Sequence, residues 1–328
     1  MPAKILVTYR PPGDALHRLS DLGEVDLWDG QDAMPRHELL ARVAPVDAVY
    51  SMLTDRIDDE LLDAAPNLRV VSNMAVGYDN VDVPACTRRN IPVGHTPNVL
   101  TETVADTAFG LMIAAARRFG EGVDYIRDDR WKKWEPELLW GNDIHGSTLG
   151  IVGFGRIGMA IAKRAAGFSM RVIATSRRRS SRAEDLGVTQ VEFPELLARS
   201  DHVVISVPLT QETHHMFDEK AFAAMKPTAT LVNVSRGGTV DTDALVAALR
   251  DGKLAAAGLD VTDPEPLAGD HPLLALRNAF VIPHLGSSTA RTRHAMANLA
   301  VDNVSAALAG RPLRATVNPE VTPRPVDP

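Results

Sequence analysis

An arginine, a carboxylate and a histidine each stand just past an apolar run of strand length in the second half of the chain. Arg236 follows Leu231 to Ser235, and Glu265 lies in Asp263-Pro264-Glu265-Pro266 after Leu259-Asp260-Val261. His284 follows Phe280-Val281-Ile282-Pro283. In an open parallel sheet, ligands gather beyond the carboxyl ends of the strands, so residues distant in sequence can share one site there. Arginine grips a carboxylate in two-pronged fashion. Histidine passes a proton near neutral pH, and a carboxylate beside a histidine favours the charged ring. Singly, each has a plain reading: a capping or surface arginine, a solvated glutamate, an ordinary histidine. Together, beside a nicotinamide, they suit hydride transfer. His202, His214, His215, His271 and His294 have no comparable setting.

The element that must position such a cofactor lies upstream. Thr148 to Val152 is a short apolar run, followed at once by Gly153-Phe154-Gly155-Arg156-Ile157-Gly158. Met159 to Phe168 reads as a helix and Arg171 to Thr175 as the next strand. Strand, G-x-G-x-x-G turn, helix and strand make a dinucleotide-binding βαβ unit. Gly153 permits the tight turn, Gly155 lets backbone approach a pyrophosphate, and Gly158 lets the helix lie close to the strand. The helix N-terminus then offers N–H groups and a positive dipole end to the phosphates.

At 328 residues the chain suggests about two domains of ordinary size. Apolar content of 45% and charged content of 23% are those of a soluble globular protein. A net charge of −7 leaves no footprint for nucleic acid or an anionic membrane. No stretch approaches the roughly 20 apolar residues of a membrane span, and no leader precedes the first strand, Lys4 to Tyr9. Cys86 is the only cysteine, which excludes an intrachain disulfide and suits a reducing cytosol. A soluble cytoplasmic protein without a bound metal is expected.

Residues 1–98 alternate strand and helix. Strands are read at Ile5 to Val7, Glu24 to Leu27, Asp47 to Ser51 and Leu68 to Ser72, with helices at Pro12 to Leu22, Arg36 to Val43 and Asp58 to Ala65. That alternation predicts a parallel, doubly wound sheet. Thr101 to Phe119 reads as one long Ala-rich helix opened by a Thr103-to-Asp106 capping pair. Trp131, Trp134 and Trp140 fall in the connector that follows; such surface packs inside or, where exposed, marks a subunit interface. Beyond the glycine turn, strands are read at His202 to Val207, Thr230 to Ser235, Ala256 to Val261 and Ala279 to Ile282, with a helix from Asp241 to Arg250. A last helix, about Thr289 to Ala309, can cross back to the first domain, and the proline-rich tail Pro319 to Pro328 frays.

The runs Leu231 to Gly238, Gly258 to Leu267 and Pro283 to Thr289 resemble the D-isomer-specific 2-hydroxyacid dehydrogenases, and within them look most like the glyoxylate/hydroxypyruvate reductases. Asn73 to Asn80, Thr96 to Thr103 and the glycine turn match as well, so the resemblance covers nearly the whole chain to about residue 318. It implies an α/β fold of two doubly wound parallel-sheet domains. A Rossmann cofactor domain, residues 99–288, is inserted in a flavodoxin-like substrate domain, residues 1–98 and 289–328, with the active site in the cleft between. By the same resemblance Arg236 binds the substrate's carboxylate and carbonyl, His284 is the acid/base, and Glu265 is its partner. Leu53 and the backbone of Val76 and Gly77 hold the carboxylate. Cofactor contacts are implied for Val104, Gly153, Phe154, Gly155, Arg156, Ile157, Gly158, Val207, Pro208, Thr213, Val234, Ser235, Arg236, Asp260, His284 and Gly286. A homodimer would join through the Ala-rich helix and the Trp131 to Trp140 segment, with Trp140 reaching the neighbour's site.

The implied reaction reduces a short 2-oxo acid, glyoxylate or hydroxypyruvate first, to its D-2-hydroxy acid. Phosphite dehydrogenases carry lysine where Val76 stands, and formate dehydrogenases carry glutamine where Glu265 stands, so neither fits. Phosphoglycerate dehydrogenase, another D-2-hydroxyacid dehydrogenase, and a non-enzymatic dinucleotide-sensing module like the corepressors on this scaffold are the alternatives.

The residues themselves bear on the choice of dinucleotide. An NAD-preferring Rossmann domain places an acidic residue about 20 positions after the glycine turn, at the end of the second strand. Here that place falls near Thr175 and Ser176, without a carboxylate, and Arg177-Arg178-Arg179 follow. Arginine meets a 2′-phosphate with charge-assisted hydrogen bonds. Arg177 first, Arg178 second and Ser176 through its hydroxyl predict NADPH, with NADH the weaker alternative. The plain readings of the run are a solvated basic loop and a chance resemblance to a localisation signal in Arg177 to Arg182.

Overall fold

In the computed structural model, which describes residues 2–324, the chain divides into two compact units. One comprises the residues up to Leu100 together with those from Thr289 onward; the other is Thr101–Ser288.

In the first unit, β1 (Ala3–Val7), β2 (Gly23–Leu27), β3 (Ala48–Ser51), β4 (Val70–Asn73) and β5 (Val93–Gly94) form a parallel sheet in the order β2-β1-β3-β4-β5. This is the flavodoxin-like order. β3 and β4 are buried along their whole length, as strands covered on both faces must be. On one face helices Arg36–Val43, Asp59–Ala64 and Val83–Arg88 bury Leu39, Val43, Leu61 and Cys86 in one cluster with Leu6, Val49 and Val71 of the sheet. Burial pushes the Cys86 thiol up to about 12, which keeps it inert. Helix Ala290–Leu308 lies against β3 and β4, where Tyr50 donates to Ala297 O at 3.4 Å and Ser72 to Ala300 O at 2.8 Å. The chain therefore does return to the sheet it began with.

The second unit holds β6 (Thr148–Val152), β7 (Arg171–Thr175), β8 (Thr189–Gln190), β9 (His202–Ile205), β10 (Thr230–Asn233), β11 (Ala256–Leu259) and β12 (Ala279–Val281). All are parallel, in the order β12-β11-β10-β9-β6-β7-β8. The winding reverses between β6 and β9, and such a switch point is where doubly wound sheets bind ligands. Helices Thr101–Ala116 and Arg156–Ala166 pack together, pinned by Arg164, which reaches Glu102 at 2.8 Å and Asp106 at 2.7 Å. No helix among the described residues is long and apolar enough to cross a membrane.

Several expectations need correction. The Ala-rich helix begins at Thr101, so Thr103 sits inside its first turn and Asp106 serves Arg164 instead of a cap. That helix ends at Ala116; Arg118 turns left-handed at φ 56° and starts a separate helix, Phe119–Arg127. The expected helix Pro12 to Leu22 shrinks to Ala15–Ser20. The connector tryptophans are not packed inside: Trp131, Trp134 and Trp140 are 56%, 78% and 67% exposed. The tail does not fray from its start. Val317 and Asn318 bond the β5 edge at Val93, and Val321 is buried, whereas residues 325–328 lie outside the described residues.

Candidate active site

β10, β11 and β12 are adjacent and in register, with Asn233 beside Leu259 and Leu259 beside Val281. Strands lie about 4.8 Å apart, so residues just past their ends gather although tens of positions separate them in sequence. Arg236 leaves β10 half-buried in extended backbone, its guanidinium donating to Ser235 O at 2.9 Å. Asp260 follows β11 and is 2% exposed. Its carboxylate accepts from Leu285 N at 2.6 Å and Gly286 N at 2.9 Å, and its carbonyl accepts from His284 N at 2.9 Å. Burial pushes its pKa above the ordinary carboxylate range, against the pull of the His284 ring and those two amides.

His284 sits at φ 50°, a left-handed conformation that a non-glycine residue adopts only where its surroundings impose it. Its Nδ1 lies 2.6 Å from Glu265 Oε1, with the two side chains 27% and 33% exposed. A carboxylate only accepts, so Nδ1 carries a proton in this bond. Both residues line a cavity of about 360 Å³ walled by Leu267, Leu274 and Val281.

The glycine turn leaves β6. Gly153 has φ +96°, and its carbonyl accepts from Ser206 Oγ at 2.7 Å. A side chain on Gly158 would stand 2.2 Å from Gly153 O, so close packing forbids one there. Gly155 differs: a Cβ there meets nothing within 4 Å. It caps helix Arg156–Ala166 without a side-chain acceptor, so the first amides of an eleven-residue helix face open space. That is a cradle for an anionic group. Phe154 is buried, Arg156 exposed and Ile157 half-buried along it. Val207 packs against Gly153, and Thr213 closes the turn after Pro208 by donating to Pro208 O at 2.7 Å. Val234 is buried behind Ser235, and Val104 stands within van der Waals reach of Gly286.

Beyond β7, Arg177, Arg178 and Arg179 are exposed. Ser176 Oγ donates to Arg178 O at 2.7 Å and accepts from Gln190 at 3.0 Å, which shapes the basic turn. Arg177 also acts on Glu212, whose pKa falls chiefly because Thr210 donates to it. Leu53 lies half-buried in the turn after β3, and Val76 and Gly77 in the loop after β4. Trp140 bonds locally, its indole donating to Pro136 O at 2.6 Å. His214, His215 and Asp263 bring their ligand atoms within 4.8 Å of one another. The two imidazoles stack at 3.9 Å and 21°, so their in-plane lone pairs run side by side and do not converge on one ion.

Sequence reasoning counted Asp260 as a cofactor contact and did not see its grip on the His284 turn. The signal was faint, a buried-type strand ending in a single carboxylate. Ser206 and Gln190 were missed for the same reason: nothing in a lone polar residue names its partner.

The two glycines make opposite demands. Gly155→Ala should leave stability within about 1 kcal/mol, since the methyl meets no neighbour. It should nevertheless weaken dinucleotide binding, followed by fluorescence titration, about 10-fold or more by occupying the space a pyrophosphate would take. Gly158→Ala should lose roughly 1–3 kcal/mol of stability from overpacking. Equal loss of stability in both variants would contradict this division.

Known proteins resemble this chain along nearly its whole length. The model of the family "D-isomer specific 2-hydroxyacid dehydrogenase, NAD binding domain" matches residues 109–286. The chain is 45% identical over 326 residues to the glyoxylate reductase of Pyrococcus furiosus, covering 98% of this chain and 97% of that one. It is 46% identical over 326 residues, with the same coverage, to the glyoxylate reductase of Thermococcus gammatolerans. Among solved structures, a Thermus thermophilus protein matches with 48% identity and a TM-score of 0.90, covering 96% of this chain and 99% of that one. The NADPH-dependent glyoxylate/hydroxypyruvate reductase of Sinorhizobium meliloti, solved with NADP and malonate, matches with 32% identity and a TM-score of 0.88 over 100% of both chains. The chain belongs to the D-isomer-specific 2-hydroxyacid dehydrogenases and is an NAD(P)-dependent enzyme of that family.

Proposed function

We propose that this enzyme reduces small 2-oxo acids, glyoxylate and hydroxypyruvate foremost, to D-2-hydroxy acids with NADPH, and that His284 gives the proton. The observation that carries this is the His284–Glu265 pair at 2.6 Å, set at the sheet edge that also bears Arg236. Support for the substrate comes from relatives named glyoxylate reductases, and for the cofactor from the NADPH-dependent Sinorhizobium meliloti enzyme.

In this scheme residues up to Leu100 and from Thr289 onward form the substrate-binding unit, where Leu53 and the amides of Val76 and Gly77 take the carboxylate. Thr101–Ser288 holds the dinucleotide, along Gly153 to Gly158 and at Val104, Val207, Pro208, Thr213, Val234, Ser235, Asp260 and Gly286. When bound, a reduced nicotinamide supplies the hydride that adds to the carbonyl carbon. Arg236 orients the acid and meets the charge that grows on the carbonyl oxygen. His284 Nε2 delivers a proton to that oxygen, while Glu265 fixes the ring and stabilises its charged form. His284→Ala should lower kcat by about 10²–10⁴-fold and leave the KM for NADPH within about 3-fold. Near-wild-type turnover in that variant would show that another group donates the proton.

Preference for NADPH rests on Arg177, with Arg178 and Ser176 in support, where an acidic residue would otherwise meet the ribose. Losing one charged hydrogen bond costs roughly 1.5–3 kcal/mol, so Arg177→Ala should raise the KM for NADPH about 10- to 100-fold and spare NADH. A wild-type enzyme with higher kcat/KM for NADH than for NADPH would refute the preference.

The enzyme is further proposed to be a homodimer. Phe119, Val123 and Ile126 recur at helical spacing on helix Phe119–Arg127, 52%, 46% and 61% exposed, and no residue of that helix is buried. Phe119 and Val123 line a groove of about 480 Å³ against Leu274 and Phe280, and the exposed tryptophans of the connector enlarge the apolar surface. Trp140 is the side chain proposed to reach the neighbour's site. Light scattering should return twice the 35.4 kDa chain mass, and Val123→Asp with Ile126→Asp should halve it. A wild-type monomer at assay concentration would exclude the dimer.

A further inference from the structure

The loop after β4 presents its amides by having its carbonyls tied down one after another. Ala75 O accepts from Thr96 N at 2.8 Å, Val76 O faces His95 Nδ1 at 3.0 Å, and Gly77 O accepts from Asn73 Nδ2 at 3.1 Å. A carbonyl only accepts, so Nδ1 of His95 is the protonated nitrogen of that ring in this bond. In a trans peptide the N–H points opposite to the C=O. Each tether therefore turns the next amide, of Val76, Gly77 or Tyr78, away from the carbonyl's partner. None of these three amides donates to a protein acceptor among the described residues. Successive backbone N–H groups left in this way form a concavity suited to an anion.

The tethers are themselves braced. Asn73 is fully buried and also donates to Asn80 Oδ1 at 3.1 Å. Asn80 in turn donates to Met52 O at 3.1 Å and Asp55 O at 2.8 Å, so the turn that carries Leu53 is fixed to the same network. Tyr78 lies edge-on over the His95 ring at 5.6 Å.

We propose that His95 is a positioning residue for the substrate's carboxylate: its Nδ1–H holds Val76 O and so aims the Gly77 amide at the acid, as Asn73 does for the Tyr78 amide. This rests on the proposed role of Val76 and Gly77 as carboxylate donors. Three replacements separate the hydrogen bond from the shape of the ring. His95→Asn keeps an N–H near the place of Nδ1, His95→Leu has the form of asparagine without the donor, and His95→Phe keeps a ring beneath Tyr78 without the donor. The leucine and phenylalanine variants should raise the KM for glyoxylate about 10-fold or more, with kcat and the KM for NADPH within about 3-fold, and asparagine should stay near wild type. Calorimetry with oxalate on the NADP-loaded protein should give the same ranking without turnover.

The two measurements keep this inference distinct from the proposed substrate. If glyoxylate is not reduced but oxalate binds and the leucine and phenylalanine variants weaken it, the role of His95 stands and the substrate falls. Where leucine or phenylalanine leaves oxalate binding unchanged, or asparagine loses as much as leucine, His95 does not position the loop. Its role is equally overturned if the wild type does not bind oxalate, or if kcat and the unfolding midpoint fall while both KM values rise together. Should the leucine variant not fold, the phenylalanine and asparagine pair decides.

Discussion

A buried carboxylate holds the histidine in place. Asp260 is almost without solvent, and a carboxylate removed from water is costly unless donors meet it. The donors here are the amides of Leu285 and Gly286, and the amide of His284 adds a third bond to the carbonyl of the same residue. Three bonds onto one residue can hold a backbone conformation that costs of order 1–3 kcal/mol on its own, and His284 is in such a conformation. The imidazole reaches Glu265 because the turn beneath it cannot relax. A side chain on Gly286 would stand 2.6 Å from Asp260 Oδ2, so the turn also requires glycine at that position.

What brings the carboxylate there is the order of the strands. β10, β11 and β12 succeed one another both in the chain and across the sheet, each connected by a crossover that restores the same direction. Their carboxyl ends therefore form one edge, and polar residues just past each strand join that edge. The glycine turn belongs to β6 on the far side of β9, where the winding reverses, and this leaves room for a long ligand to lie along the edge. A sheet with the same strands in another order would scatter Arg236, Asp260 and His284.

Much of this was legible because parallel strands announce themselves as short apolar runs, and their ends are marked by the residues that break the run. Arg236, Glu265 and His284 could be found that way, and the glycine turn by its spacing. Asp260 could not, because burial of a carboxylate is decided by a turn some 25 residues later. β5 and β8 are two residues long, too short for any period, and the break at Arg118 depends on a backbone angle that arginine does not advertise. Exposure of the tryptophans was equally hidden: an aromatic residue is drawn to apolar surface, whether that surface belongs to its own chain or to another. The stretch Asn73 to Asn80 stood out only by resemblance, and its asparagines proved to be the struts of a turn, since neither names its partner in the sequence.

A chain of net charge −7 repels small acids and phosphates at long range, so what attracts them must be local. Two of the attractions in the proposed scheme are backbone amides, at the start of helix Arg156–Ala166 and in the loop after β4. The first set is aligned by the helix itself, whose carbonyls are occupied within the helix. The second has no helix behind it, and its carbonyls are occupied by Thr96, His95 and Asn73. An amide carries no net charge, does not titrate, and has little freedom left once its carbonyl is held. It can therefore face an anion in a negatively charged protein without a buried cation to be desolvated. Charge is needed where it changes during the reaction, at the carbonyl oxygen, and Arg236 and His284 are the groups assigned there. Fixed dipoles for binding and ionisable groups for chemistry are thus assigned to different elements, and each depends on what ties down the backbone beneath it.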